Sequence, residues 1–140
     1  MALITVPFLA CMASVAAFYH LPPRVLPSIQ AVEGGWPGSV HANSDGSQDL
    51  GVMQVNTRWV QPLVGQTGMA PAEVQRRLQF DACFNIAVAG AIMRIYLDEA
   101  KGDLLRAVGY YHSHTPPLAD AYRFQVIGSA ARLFGGSERH

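Results

Sequence analysis

The stretch from Gln30 to Trp59 constrains the fold of this chain more than any other. It places Glu33 at the end of an apolar segment and follows it with a polar segment rich in Gly, Ser, Asn and Asp. A compact turn around Gly51 and Gln54 comes next. These are the parts of a cleft, and burial at such a seam raises the pKa of a carboxyl group towards that of a proton donor at neutral pH. On position alone, a surface glutamate near a helix C-terminus is an equally good interpretation.

The composition is that of one domain without a charge bias. The chain has 140 residues, of which 50% are hydrophobic, and this is enough for a real core. Lys plus Arg and Asp plus Glu number 10 each, and there is no basic tract, so nucleic acid is not an expected partner. The 13 glycines and 9 prolines predict helices broken by frequent turns, and we find no repeat or linker.

The hydrophobic pattern and the turn residues predict a succession of helices, interrupted by a long polar loop over residues 36–49. Gly34 and Gly35 stop the second helix just after Glu33. Asp81 caps the longest helix, which ends at Gly102. The predicted helices run from Met12 to Leu21, from Arg24 to Glu33, through Trp59, Val60 and Leu63 after a cap at Asn56 or Thr57, from Pro71 to about Leu78, from Asp81, from Leu104 to about Tyr110 after a cap at Asp103, and from Leu118 to Phe134.

The first 19 residues are almost wholly apolar and admit several interpretations. They suit a signal peptide cleaved after Val15-Ala16-Ala17, or a membrane anchor of just sufficient length. However, no Lys or Arg precedes Arg24, and Pro7 would interrupt a single spanning helix. A small helical membrane protein built around residues 1–19 is a further alternative.

Several segments resemble the lytic transglycosylase domain of peptidoglycan enzymes, and more narrowly its small, one-domain branch associated with secretion and conjugation systems. The similarity covers nearly the whole chain after about residue 10. It implies a mainly α, lysozyme-like domain of about six to seven helices with a catalytic cleft. The segments that carry the resemblance are Ala31-Val32-Glu33, His41-Ala42-Asn43, Asp45-Gly46-Ser47 and, above all, Asp49-Leu50-Gly51-Val52-Met53-Gln54-Val55-Asn56.

The resemblance also implies roles for individual residues. Glu33 is the expected catalytic acid, and the family's Ala-x-x-x-Tyr-Asn element maps its tyrosine to Tyr111, whose hydroxyl would orient that carboxyl group. Tyr110 is the rival if the register slips by one residue. Gln54 is expected to bond a sugar, with Met53 lining the same groove. The remaining candidates for substrate binding are Gly51, Asn56, Ser47 and His112.

Two departures from the family pattern concern the substrate subsites. Gly34 stands where a serine commonly follows the catalytic glutamate, and the usual Tyr-Asn-Ala-Gly is here Tyr111-His112-Ser113-His114. Two alternate histidines in a loop without a third partner are usually not zinc ligands, so we expect no metal and no cofactor. Trp59 is more readily a core residue than a sugar platform. The loop residues Asp45 and Asp49 are more readily turn formers than catalytic acids.

The secretion-associated branch also has a cysteine near each of the two in this chain, Cys11 and Cys83. The resemblance therefore implies one disulfide bond, in an oxidising compartment. We expect residues 1–10 to be the remnant of an export signal, residues 11–136 to form the domain, and residues 137–140 to be a frayed tail. Lipidation of Cys11 is a further alternative.

The resemblance implies an exported, periplasmic enzyme, which we expect to be monomeric, and a membrane-tethered N-terminus is left open. Its substrate would be the glycan strands of peptidoglycan, cut at the MurNAc–GlcNAc bond with formation of 1,6-anhydromuramoyl ends. A secretion, pilus or conjugation apparatus is the expected partner. Two alternatives are a muramidase that lets water attack, and a non-catalytic peptidoglycan-binding subunit of such an apparatus.

Overall fold

The computed structural model describes residues 6–135 and shows seven α-helices and three short strands in that range. The predicted mainly helical architecture is confirmed. The helices are α1 (Leu9–Phe18), α2 (Val25–Glu33), α3 (Val60–Thr67), α4 (Pro71–Phe80), α5 (Ala82–Glu99), α6 (Leu104–His112) and α7 (Pro116–Phe134). The strands are β1 (Val40–Ala42), β2 (Gln48–Leu50) and β3 (Val55–Asn56), and one turn of 3₁₀ helix (Thr57–Trp59) joins β3 to α3.

The central helix is α5, and α1, α4 and α6 all pack against it. Its start follows the sequence prediction, because a side-chain oxygen of Asp81 accepts a hydrogen bond from the backbone N–H of Phe84 at 3.0 Å. Gly90 in its middle lets α1 approach closely, since a Cβ atom there would lie 3.1 Å from the ring of Tyr19. A row of apolar residues that includes Ile86, Ala89 and Met93 is fully buried.

The predicted helix ends are close to the observed ones, with two informative differences. The last helix begins at Pro116 rather than Leu118, because a proline is tolerated at the first helical positions, where its missing N–H has no partner anyway. It has 19 residues, one more than α5, so the prediction that α5 is the longest helix was wrong. The first helix runs three residues earlier than predicted and ends at Phe18.

The segment predicted as a polar loop over residues 36–49 contains β1 and most of β2, so this prediction was wrong. The sheet has the order β1-β2-β3, and both strand pairs are antiparallel. The hairpin between β1 and β2 closes where the N–H of Asn43 donates to the carbonyl of Ser47 at 2.9 Å. Strands of two or three residues with polar side chains carry almost no hydrophobic alternation, which is why the sequence pattern missed them.

The disulfide bond implied by the resemblance is present between Cys11 and Cys83, whose Cα atoms are 5.5 Å apart. It joins α1 to the start of α5. Met12 and Ala16 on α1 are buried in the core. These contacts contradict the two alternatives in which Cys11 is lipidated or residues 1–19 form the basis of a small membrane protein, since both leave Cys11 unpaired.

The prediction that residues 1–10 are the remnant of an export signal stays a prediction, and its first five residues lie outside the described range. The predicted tail at 137–140 also lies outside it. Between residues 6 and 135 no single helix is both long and apolar enough to cross a membrane, although α4 and α5, bent by 102° at their junction, pass that test as a pair.

Candidate functional site

A cleft of about 290 Å³ lies between the small sheet and the helical part of the domain. It collects side chains from the end of α2, from all three strands or the turns between them, and from α6. Its lining residues are Glu33, Asn43, Ser44, Asp45, Ser47, Asp49, Gln54, Val55, Asn56, Arg58, Trp59, Ile92, Tyr111 and His112. The predicted cleft with Glu33 in its wall is therefore present. Five of the seven other predicted site residues line it, namely Ser47, Gln54, Asn56, Tyr111 and His112.

Glu33 is the last residue of α2, as predicted from the two glycines that follow it. Gly34 adopts the left-handed conformation with φ 70°, and its N–H donates to the carbonyl of Gln30 at 2.7 Å, which closes the helix. At Gly35 a Cβ atom would collide with the backbone carbonyl of Gly51. The glycine pair therefore both ends the helix at the carboxylate and allows the turn around residue 51 to pack against it.

The setting of Glu33 favours the protonated form of its carboxyl group. Burial on the helical side of the cleft raises the pKa of its carboxyl group from 4.5 to about 7, because the charged form loses its hydration there. A hydrogen bond from Tyr122 opposes this rise, and the negative charge of Asp49 adds to it. A carboxyl group with this pKa is present in both its protonated and its charged form near neutral pH.

Tyr122 is a site residue that the sequence analysis missed. Its hydroxyl donates to Oε2 of Glu33 at 2.6 Å, and its side chain is 5% exposed. It lies on α7, 89 positions from Glu33. The pattern of the chain does place it on the buried face of α7 with Val126 and Ser129, but nothing in one sequence says that this face meets the end of α2.

Tyr111 lines the cleft, whereas its rival Tyr110 points the other way and packs on Tyr96 and His114. The hydroxyl of Tyr111 nevertheless donates to the backbone carbonyl of Met53 at 2.8 Å. The bond to the Glu33 carboxyl that was expected from Tyr111 is made by Tyr122 instead. Tyr111 therefore ties α6 to the turn between β2 and β3.

The turn between β2 and β3 is held from the core side, and this corrects the expectations that Met53 and Gly51 line the groove. Met53 is fully buried in the core, so its side chain does not line the groove. Gly51 is also buried outside the cleft lining, with φ 70°, and a Cβ atom there would lie 2.6 Å from Nδ2 of Asn85. Gln54 does line the cleft, and its side-chain amide donates to the carbonyl of Gly51 at 3.0 Å.

Asn85 is the residue that holds this turn, and it too was missed. It is fully buried on α5, and its amide accepts from the N–H of Met53 and donates to the carbonyls of Leu50 and Leu78, each at 2.8 Å. A polar residue among the apolar positions of a core helix is a signal that such a network exists. Its partners cannot be named from the sequence.

The strands supply the polar wall of the cleft, and the predicted residues Ser47 and Asn56 both belong to it. The side-chain amide of Asn56 donates to Oδ1 of Asp49 at 2.9 Å and to Oγ of Ser47 at 3.0 Å. Its carbonyl oxygen caps the 3₁₀ turn by accepting from the N–H of Arg58. As expected for a turn former, Asp45 accepts from the N–H and hydroxyl of Ser47.

The two histidines that replace the family's residues have separate surroundings. His112 lines the cleft and stacks on the ring of Tyr122, with the ring centroids 5.0 Å apart. His114 lies outside it, stacked on Tyr110 and within 2.9 Å of Oε2 of Glu99. Among residues 6–135 no three His, Cys, Asp or Glu side chains are grouped closely enough to hold a metal ion.

Trp59 combines the two roles that the sequence analysis set against each other. It is partly buried and packs against the core, with its ring 6.3 Å from that of Tyr96, and it also lines the cleft. An aromatic ring that is fixed by the core on one side and open on the other offers a flat apolar surface to a bound ligand.

Comparisons with known proteins agree with this geometry. The model of the transglycosylase SLT domain family matches residues 10–123. The invasion protein IagB from two strains of Salmonella typhimurium and from Salmonella typhi is 30% identical over an alignment of 112 positions that covers 76% of this chain. The matched part spans 64% of the length of these relatives.

The family match covers the residues that build the cleft, from Glu33 at the end of α2 to Tyr122 on α7. The helical fold with a small sheet, the cleft and the position of a single protonated glutamate are all consistent with a lysozyme-like domain of this kind. From the extent of the match we conclude that the chain belongs to the transglycosylase SLT domain family.

Proposed function

We propose that the protein is a peptidoglycan lytic transglycosylase that cleaves the MurNAc–GlcNAc bond and leaves 1,6-anhydromuramoyl ends. The observation that carries the proposal is the half-buried Glu33 in the cleft, whose pKa is raised to about 7 by burial. A carboxyl group in this state gives up a proton to a leaving oxygen at neutral pH and is then able to take one back. Membership in the SLT family supports the same chemistry.

In this mechanism Glu33 acts twice. It first donates its proton to the glycosidic oxygen as the bond between C1 and that oxygen breaks. The resulting carboxylate then accepts the proton of the C6 hydroxyl of the same sugar, while the hydroxyl oxygen attacks C1. The hydroxyl of Tyr122 donates to Oε2 of Glu33 at 2.6 Å, so it holds the carboxyl group in one orientation and stabilises the charged form between the two steps.

The polar wall is the proposed binding surface for the sugars. Gln54, Asn56, Ser47 and His112 line the cleft and present hydrogen-bonding groups to it. The ring of Trp59 offers the apolar surface on which a pyranose can lie. Gly51, Met53 and Tyr111 act behind this surface by holding the turn and are not proposed as sugar contacts.

The cellular role is also a proposal. The relatives are named invasion proteins, and the disulfide between Cys11 and Cys83 suits a compartment outside the cytoplasm. We propose that the enzyme works in the periplasm and opens the wall locally for a secretion, pilus or conjugation apparatus. Its substrate would be the glycan strands themselves.

Digestion of purified peptidoglycan by the oxidised protein, followed by mass spectrometry of the products, tests the proposal. Anhydromuropeptides are expected, each one water lighter than the product of a hydrolase. Glu33→Gln should lower the rate by about 10²–10⁴-fold, because the side chain no longer carries a proton to donate. Glu99→Gln, an exposed glutamate at the end of α5, is the matched control and should keep the rate of the parent.

Two other outcomes would replace the proposal. Products with reducing ends would identify a muramidase that lets water attack C1. No products from a folded parent protein that still binds the wall would identify a non-catalytic peptidoglycan-binding subunit.

A further inference from the structure

Arg58 gives the cleft a feature that cleavage of a neutral sugar chain does not require. It is the one lysine or arginine among the described residues that line the cleft. The other ionisable lining groups are the acids Glu33, Asp45 and Asp49, the phenol of Tyr111 and the imidazole of His112. A guanidinium group in this position needs an explanation that the proposed chemistry at Glu33 does not supply.

The guanidinium group of Arg58 is held in place without being neutralised. Its Nη2 donates to the hydroxyl of Tyr96 at 3.2 Å, and its Cζ lies 5.7 Å from the centre of the Trp59 ring. Its backbone N–H is fixed by the cap at Asn56. A planar cation held against an aromatic ring is pre-organised, so less conformational entropy is lost when it binds an anion.

Within the described part of the chain, most arginines have a carboxylate partner within 4.0 Å, and Arg58 has none. The five that are paired are Arg76, Arg77, Arg94, Arg106 and Arg123. The two acids of the polar wall accept their hydrogen bonds from other groups, Asp45 from Ser47 and Asp49 from Asn56. The hydrogen bonds from Ser47 lower the pKa of Asp45, and the charge of Arg58 adds to this without an ion pair between them. The fork of Arg58 therefore keeps its capacity to bind a carboxylate from outside.

We propose that Arg58 binds a carboxylate of the peptide that is attached to the muramoyl sugars, and so makes the enzyme prefer peptide-bearing glycan. This inference rests on the proposed function and names the part of the substrate that the cleft recognises besides the sugars. Arginine suits the task because its fork of N–H donors matches the two oxygens of a carboxylate. Lysine at this position would supply the charge without the fork.

The test compares two substrates with four proteins. One substrate is native peptidoglycan, and the other is the same material with its carboxylates capped as methylamides. The proteins are the parent, Arg58→Gln, Arg58→Lys and the control Arg132→Gln, which removes a charge from an exposed arginine in the last turn of α7 that has no ion pair in the described structure. The measured quantity is the ratio of kcat/KM on native material to kcat/KM on capped material.

For the parent and Arg132→Gln, we expect kcat/KM on native material to be about tenfold higher than on capped material. This is the size of effect expected from one hydrogen bond to a charged group. Arg58→Gln should bring the ratio close to one, mainly through a higher KM on native material, and Arg58→Lys should retain part of it. If Arg58 is merely structural, Arg58→Gln will slow both substrates equally and keep the ratio of the parent, which would overturn the inference.

A binding assay separates this inference from the proposed function. Co-sedimentation of Glu33→Gln with native and capped walls, with and without Arg58→Gln, measures recognition without cleavage. If the parent cleaves neither substrate, the transglycosylase proposal fails. A preference of Glu33→Gln for native walls that disappears with Arg58→Gln would still support carboxylate recognition, and equal binding of both walls would refute it.

Discussion

The two walls of the cleft are built in different ways. The helical wall brings Glu33, Tyr111 and Tyr122 together from three helices that pack on one another through apolar surfaces. The strand wall is the polar wall supplied by the strands. Its small polar side chains, such as Ser47 and Asn56, form hydrogen bonds mainly with each other within a short stretch of chain. Packing between helices that are far apart in the chain holds the helical wall, whereas hydrogen bonds between residues that are close in the chain hold the strand wall.

This difference gives two carboxyl groups in one cleft opposite protonation behaviour. Burial in the helical wall raises the pKa of Glu33 to about 7. On the strand wall, hydrogen bonds from the hydroxyl and N–H of Ser47 lower the pKa of the exposed Asp45. The fold thus favours the protonated form of Glu33 and the charged form of Asp45.

The largest expected effect concerns the disulfide bond between α1 and α5, which pack against α2 and α6 of the helical wall. Removing the Cys11–Cys83 disulfide by Cys11→Ser should lower the free energy of unfolding by about 4 kcal/mol, because the bond closes a loop with a sequence separation of 72. Urea unfolding measures this. Reductant should destabilise the parent to the same extent and leave Cys11→Ser unchanged; an unfolding midpoint of the parent that reductant does not move would contradict the prediction.

Substitutions at two asparagines near the cleft compare the stability that a buried and an exposed polar contact contribute. Asn85→Leu leaves the N–H of Met53 and two backbone carbonyls in the core without hydrogen-bond partners. We therefore expect the free energy of unfolding to fall by about 3 kcal/mol or more. Asn43→Ala on the hairpin removes one side-chain bond to Ser47 near solvent and should cost less than about 1 kcal/mol. Equal losses for the two variants would mean that the turn is not held through Asn85.

The same contrast explains what the sequence could predict. Helix ends depend on neighbours in the chain, so the caps at Asp81 and Asp103 and the stop at Gly34 were found from the pattern, and the structure confirms them. The resemblance supplied the disulfide and the place of Glu33 in the cleft. Its assignment of Met53 to the groove failed because whether a turn residue faces the core or the solvent depends on packing across the domain.

Tyr122 was missed for a related reason. Its partner Glu33 is 89 positions away, and the contact exists because α7 packs on α2, where the hydroxyl of Ser129 donates to the carbonyl of Ser28 at 2.7 Å. Neither helix carries a signal that selects the other. The short strands were missed because their polar residues resemble those of a loop.

The pH dependence of stability tests the helical wall directly. The pKa of Glu33 is higher in the folded state, about 7, than its ordinary 4.5, so the folded protein holds more protons between these values. The stability of the parent should therefore fall as the pH rises from about 4.5 to 7. Glu33→Gln lacks this effect, and it should be more stable than the parent by about 2–3 kcal/mol at pH 8 and equal to it at pH 4. A constant difference across this range would show that the carboxyl group is not desolvated.

The smallest expected effect is on the pH profile of activity, and it distinguishes the roles of the two tyrosines of the helical wall. Because the proposed mechanism requires a protonated Glu33, kcat/KM should decline as the pH rises through the pKa of Glu33, about 7. The hydroxyl of Tyr122 favours the charged carboxylate, so Tyr122→Phe should move this decline to higher pH by about one unit. Tyr111→Phe is the matched control: its hydroxyl donates to the carbonyl of Met53, and its loss should weaken the turn without moving the decline. If Tyr111→Phe shifts the profile and Tyr122→Phe does not, Tyr111 orients the acid after all, as the family resemblance implied.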